Sequence, residues 1–163
     1  IHTDVPLVHK VQTVPLPIRM VTEEELADAK AQAAKLLEQE KKGANVHGRR
    51  MWHERIADRY EWQKGNPVYP METHVIRLGD VAICTNPFEL FTDYGVRIKA
   101  RSKALQTFVI QLVGPGTYLA TERAVKGGHY SAIVQSNLVG PEGGQVLVDR
   151  TVEMINALWP EAK

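Results

Sequence analysis

Val81-Ala82-Ile83-Cys84-Thr85-Asn86-Pro87-Phe88-Glu89-Leu90-Phe91 decides the fold of this 163-residue chain: an apolar run, a polar break, then a carboxylate among aromatic and aliphatic side chains. Val81 to Cys84 is apolar at every position, which is the pattern of a buried central strand. From Phe91 the period changes, because Phe91, Tyr94 and Ile98 recur at helical spacing and predict a helix ending near Arg101-Ser102-Lys103. Pro87 suits the first turn of that helix, where a missing N–H costs nothing. Glu89 then lies where the helix begins, so its carboxylate either complements the helix N-terminus or points into a site. Thr107 to Val113 reads as a second buried strand. Strand, helix and strand make a βαβ-like unit whose two turns lie at the carboxyl ends of neighbouring strands, the usual place for a site in an α/β sheet.

Upstream, His74 to Leu78 and Val81 to Thr85 are rich in β-branched residues and joined by Gly79-Asp80, which predicts a β-hairpin. Residues 5–20 carry Val8, Val11 and Val14 between Pro6, Pro15 and Pro17, an extended segment suited to an edge strand because proline cannot donate to a ladder. Thr22-Glu23-Glu24-Glu25 is a capping box. The helix it opens has Leu26, Ala29, Ala33, Leu36 and Leu37 on one stripe, and Lys41-Lys42-Gly43 ends it. After a loop from Gly43 to Gly48, the spacing of Trp52, Ile56 and Tyr60 predicts a second helix that stops at Gly65-Asn66-Pro67. Downstream, a glycine-rich stretch from Gly127 to Gly144 precedes an amphipathic helix marked by Val148, Val152, Ile155 and Trp159, stopped by Pro160 and expected to pack on the sheet. The fold class is α/β, a mixed sheet with flanking helices.

Twenty Lys and Arg against nineteen Asp and Glu leave a formal charge of +1, so there is no general electrostatic attraction toward nucleic acid or anionic lipid. Arg49, Arg50, Arg55 and Arg59 do share a helix with Trp52 and Trp62. Glu54, Asp58 and Glu61 lie on the same helix, so the pattern reads as a solvated charged face and no nucleic-acid partner is expected. The single cysteine, Cys84, excludes an internal disulfide and any multi-cysteine metal site, and within an apolar strand it reads as a small buried hydrophobe. No apolar run approaches the ~20 residues that span a bilayer. Ile1-His2-Thr3-Asp4-Val5-Pro6 lacks the order of a signal peptide and has no initiating methionine, as expected of a piece of a longer polypeptide.

A second signature, Gly116-Thr117-Tyr118-Leu119-Ala120-Thr121, follows the second strand of the unit, with Gly127-Gly128-His129-Tyr130 beyond it. Taken alone, Tyr118 reads as a half-buried aromatic whose hydroxyl finds a partner. As a metal ligand it would have to lose a proton from a phenol of pKa near ~10, a shift that a divalent cation can supply. There is no H-E-x-x-H, no G-x-S-x-G and no phosphate loop.

Together the two signatures resemble the closing part of the catalytic domain of the neutral/alkaline, non-lysosomal ceramidase family, in which a Pro-Gly-Glu-x-Phe segment and a Gly-Tyr-x-x-Thr segment each bring one zinc ligand. The likeness extends from Leu78-Gly79-Asp80-Val81-Ala82 through Gly95, Lys99 and Arg101. It implies that Glu89 and Tyr118 are zinc ligands and that Tyr130 is a catalytic tyrosine beside the reacting amide. The zinc would be completed by histidines outside this chain, since His2, His9, His47, His53, His74 and His129 do not stand in the family's histidine motifs. His129, next to Tyr130, is the one placed to line a pocket. The resemblance further implies that residues 1–163 are a single domain or the C-terminal portion of a larger hydrolytic domain. The expected partners are the N-terminal part of that domain and an N-acyl amide or sphingolipid-like substrate, in a secreted or periplasmic setting, and the isolated segment is expected to expose an apolar docking surface and to self-associate. Two departures stand out. Phe88 replaces the glycine before the glutamate and is expected to crowd the metal, and Val113-Gly114-Pro115 replaces an Asn-x-Tyr step and stiffens the loop. A noncatalytic structural or interaction domain that keeps the fold without the site is the alternative.

Overall fold

The computed structural model describes residues 4–159; Pro160, the expected helix stop, and His2 lie outside them. The elements run β1 (Leu7–Pro17), α1 (Glu23–Lys41), α2 (His47–Trp62), β2 (Val68–Leu78), β3 (Val81–Thr85), β4 (Glu89–Leu90), α3 (Thr92–Arg101), β5 (Gln106–Ile110), β6 (Tyr118–Leu119), α4 (Glu122–Gly127), a 3-10 turn (Tyr130–Ala132) and α5 (Pro141–Asn156). The main sheet has the order β1-β2-β3-β5. β1/β2 and β2/β3 are antiparallel and β3/β5 is parallel, so the sheet is mixed, as its sequence implies.

β1 is the edge strand that its prolines predict. Its register sets Pro15 opposite Pro70, within the part of β2 that has no partner on its other side, because β3 joins β2 only from Val75 onward. β2 begins at Val68, six residues before His74: Met71, Thr73 and Val75 alternate inward there, although Pro67 and Pro70 look like breakers in the sequence. The capping box is formed, with Thr22 Oγ1 accepting from Glu25 N at 3.1 Å and Thr22 N donating to Glu25 Oε2 at 3.1 Å. Ala29 and Ile56, on α1 and α2, share a small core with Val21 and Val134.

The main core lies between one face of the sheet and the helices α3 and α5. Met71, Val75, Ala82 and Cys84 meet Tyr94, Ile98, Leu147, Val148 and Ile155. Burial pushes the Cys84 thiol up to about 12, which fits its reading as a packed apolar group. α5 starts at Pro141, inside the stretch expected to be loop. Gly143 and Gly144 are buried there, and a Cβ on Gly144 would stand 2.4 Å from the Tyr94 hydroxyl. The glycines therefore mark a close helix approach and not a flexible link.

Three expectations are corrected. α3 starts at Thr92 with Phe91 as its N-cap, so Pro87 is not in its first turn and Glu89 does not cap it. Glu89 and Leu90 instead form β4, paired in parallel with Tyr118 and Leu119 of β6, a two-residue pairing too short to carry a period. The strand expected at Thr107 to Val113 is shorter and covered on one side only: Thr107 and Val109 face the helices, while Phe108 is 48% and Ile110 is 44% exposed. Among the described residues no helix is long and apolar enough to cross a membrane.

Candidate metal centre

The β4/β6 pair brings the two signatures together. Glu89 lies opposite Tyr118, with Glu89 N donating to Thr117 O at 3.1 Å and Phe91 N to Leu119 O at 3.3 Å. The other edge of β6 is held by Tyr118 N donating to Ser136 O at 3.1 Å, and Gln111 Oε1 accepts from Leu90 N at 2.9 Å. Buried Asn86 fixes the turn before β4: its Oδ1 accepts from Phe88 N at 3.1 Å and its carbonyl from Val113 N at 3.0 Å.

Phe88, in the bend before β4, is 1% exposed and packs in the core, its ring centroid 5.6 Å from that of Tyr69, while Glu89 is half-buried. The expectation that Phe88 crowds the site is thus overturned. Pro115 is anchored as well, its carbonyl accepting from the Tyr69 hydroxyl at 3.2 Å. At Gly116 a Cβ would stand 1.9 Å from Pro87 O, so the loops of the two signatures touch where only hydrogen fits.

Glu89 and Tyr118 border one depression of about 380 Å³, together with Gln111 and Leu112. Tyr130 sits on the far side of Tyr118, with the hydroxyls 3.4 Å apart and the rings edge to face at 5.8 Å. Among the described histidines, His129 is the one that packs against this cluster, its ring 4.9 Å from that of Tyr130, whereas His9 and His74 bond each other at 2.9 Å. A larger cleft of about 750 Å³ shares Asp93 with the depression and runs along the first turns of α3 and α5. Its cations are engaged: Arg97 bonds Gln145, and Arg123 pairs with Asp93 at 3.3 Å.

The hydrogen bond to Tyr130 and then the nearby Glu89 carboxylate push the Tyr118 phenol well above its ordinary range, since both favour the neutral form. In a metal-free absorbance titration at 295 nm, Tyr118 is therefore expected to ionise late, above the ordinary phenol range, together with Tyr94, whose hydroxyl burial pushes up to about 12. Tyr130→Phe should bring Tyr118 down; an unchanged titration would show that the two hydroxyls do not interact.

A carboxylate beside a phenol that becomes anionic only near a cation is a donor set suited to a divalent metal, and on this chemistry the residues present fit one side of a zinc site. Among the described residues no group of three His, Cys, Asp or Glu side chains could hold a metal ion. The groups that hold the cluster in shape escape the sequence. Buried Asn137 accepts from Ala120 N at 3.4 Å and donates to Ser131 O at 2.8 Å, and Arg59 donates to Val134 O at 2.6 Å, to Leu138 O at 3.4 Å and to Arg19 O. An arginine surrounded by acids on a helix carries no signal that its guanidinium will turn in against backbone carbonyls.

No protein-family model and no curated protein matches the chain. Among solved structures, neutral ceramidase from Pseudomonas aeruginosa matches 94% of this chain at TM-score 0.55 and 15% identity, within 28% of its own length. A ceramidase complexed with C2 matches 56% of the chain at TM-score 0.47 and 20% identity, within 15% of its length. The chain thus spans little more than a quarter of the neutral ceramidase to which it is similar, and it has the ceramidase-like fold of that part of the molecule.

Proposed function

We propose that this chain is part of a zinc-dependent N-acyl amide hydrolase, in which Glu89 and Tyr118 hold the metal together with histidines from another part of the polypeptide. The observation that carries the reading is the β4/β6 pair, which sets this carboxylate and this phenol side by side at the edge of one depression. Their place at the ends of a parallel β3-α3-β5 unit and the ceramidase-like fold support it. When bound, the metal would supply Lewis acidity to a water molecule and to the amide carbonyl.

The chain's own residues would do the rest. Glu89 would bring its carboxylate to the metal, and the Tyr118 hydroxyl, kept neutral without metal, would release its proton to solvent water on coordination. Tyr130, freed from its contact with Tyr118, can donate to the oxygen on which charge develops as the carbonyl is attacked. The products would be a carboxylic acid and an amine.

The test is elemental analysis of the longest natural polypeptide that contains this segment, beside its Glu89→Ala/Tyr118→Phe double variant. About one zinc per chain, lost in the variant, is the expected result. A parent that folds and holds no zinc would overturn the proposal and leave a noncatalytic domain on the same scaffold.

A further inference from the structure

The main sheet carries helices on one face only. On the opposite face the strand registers place Val11, Ile76, Leu78, Ile83, Phe108 and Ile110, of which Leu78 and Phe108 are about as exposed as they are covered, at 47% and 48%. A sheet face built for water carries polar residues, whereas this face keeps an apolar residue on every one of the four strands. An apolar tract of this kind marks an interaction surface.

Several polar groups on the same face already bond one another. His9 Nε2 bonds His74 Nδ1 at 2.9 Å, His74 Nε2 meets Glu72 Oε1 at 3.3 Å, and Thr85 Oγ1 accepts from His74 N at 3.0 Å. Covering the His9–His74 pair and Thr85 would leave few orphaned donors, which lowers the cost of docking an apolar layer here, with the exposed Glu72 carboxylate left at its rim. The edges differ too: β1 carries three prolines along or beside it and is blunted, whereas β5 has none.

We propose that this face seats further polypeptide of the same catalytic unit, an amphipathic layer whose apolar side lies across β2, β3 and β5. The inference rests on the metal-hydrolase reading for the identity of the occupant. It is supported by the length of neutral ceramidase that lies beyond the match, 28% of that chain being matched, and by a Glu89–Tyr118 pair short of the three or more ligands that zinc needs.

Thiol labelling tests it. Phe108→Cys and Leu78→Cys, with Val96→Cys on the exposed side of α3 as reference, are made in the 163-residue chain and in the longest natural polypeptide containing it; buried Cys84 is the silent background. In the short chain, with an unreactive Cys84 as the criterion that it is folded, maleimide should react at all three positions. In the long one it should react at least tenfold more slowly at 108 and 78, with 96 unchanged. Equal rates at all three positions in the long polypeptide would overturn the proposal, as would protection already present in the short chain where sedimentation shows a dimer, since a second copy would then be the occupant. Zinc is measured on the same samples: protection without zinc keeps the interface and sinks the metal reading, and zinc without protection does the reverse.

Discussion

Gly116→Ala is expected to destabilise the chain by on the order of 3 kcal/mol, the upper end of ordinary overpacking, and so to lower its melting temperature by about 6–12 °C. The added methyl would stand 1.9 Å from Pro87 O and 2.5 Å from Pro87 C. Backbone atoms cannot rotate away as the end of a side chain can, so one of the two signature loops must move. The movement falls on the β4/β6 pair, because Glu89 N and Thr117 O, which join the strands, lie within two residues of the clash. Thermal denaturation with the 295 nm titration reads both effects: a lower midpoint, and a Tyr118 that no longer ionises late. A variant as stable as the parent would show that the loops are not in contact.

Arg59→Met is the second large effect, expected at about 3 kcal/mol because it strips buried carbonyls of a charged donor. Arg59 is partly buried, and desolvation pulls its pKa down to about 10, with Arg19 adding repulsion. What holds it is the set of carbonyls it caps, those of Arg19, Val134 and Leu138, which tie α2 to the chain after β1 and to the segment that follows Tyr130. Arg19 repeats the device, donating to Ala132 O at 3.0 Å and pairing with Glu25 at 2.8 Å. Lysine at position 59 keeps the charge and loses the planar fork, so it should recover only part of the stability. Because Ser136 Oγ donates to Tyr130 O at 2.5 Å and Ser136 O accepts from Tyr118 N, loosening this segment should also weaken the Tyr118–Tyr130 contact. Denaturant midpoints of the arginine, lysine and methionine forms, in that order, provide the check; equal midpoints would deny the guanidinium this role.

Much of the architecture is legible in local pattern. Thr22 and Glu25 set the start of α1, Gly79-Asp80 turns the β2/β3 hairpin, and the run from Val81 occupies the middle of the sheet, since capping, turn and strand signals depend on neighbours a few residues apart. Expectations fail where distant residues decide. Glu89 is strand and not helix start because Tyr118, twenty-nine positions later, offers it a partner, and Phe88 turns inward against Tyr69, nineteen positions earlier. Gly143 and Gly144 enter a helix because Val139 and Tyr94 leave no room for a side chain.

The candidate site divides in the same way. The sequence by itself determined its chemistry, a glutamate, a tyrosine and a second tyrosine following two strands, because residue type and order are local information. Only the tertiary structure decided that the carboxylate and the two phenols adjoin one another, that Arg59 and Asn137 brace them, and that one face of the sheet is apolar and open. Those outcomes depend on register and on backbone contacts between segments far apart in the chain, and a linear pattern of residues does not record them.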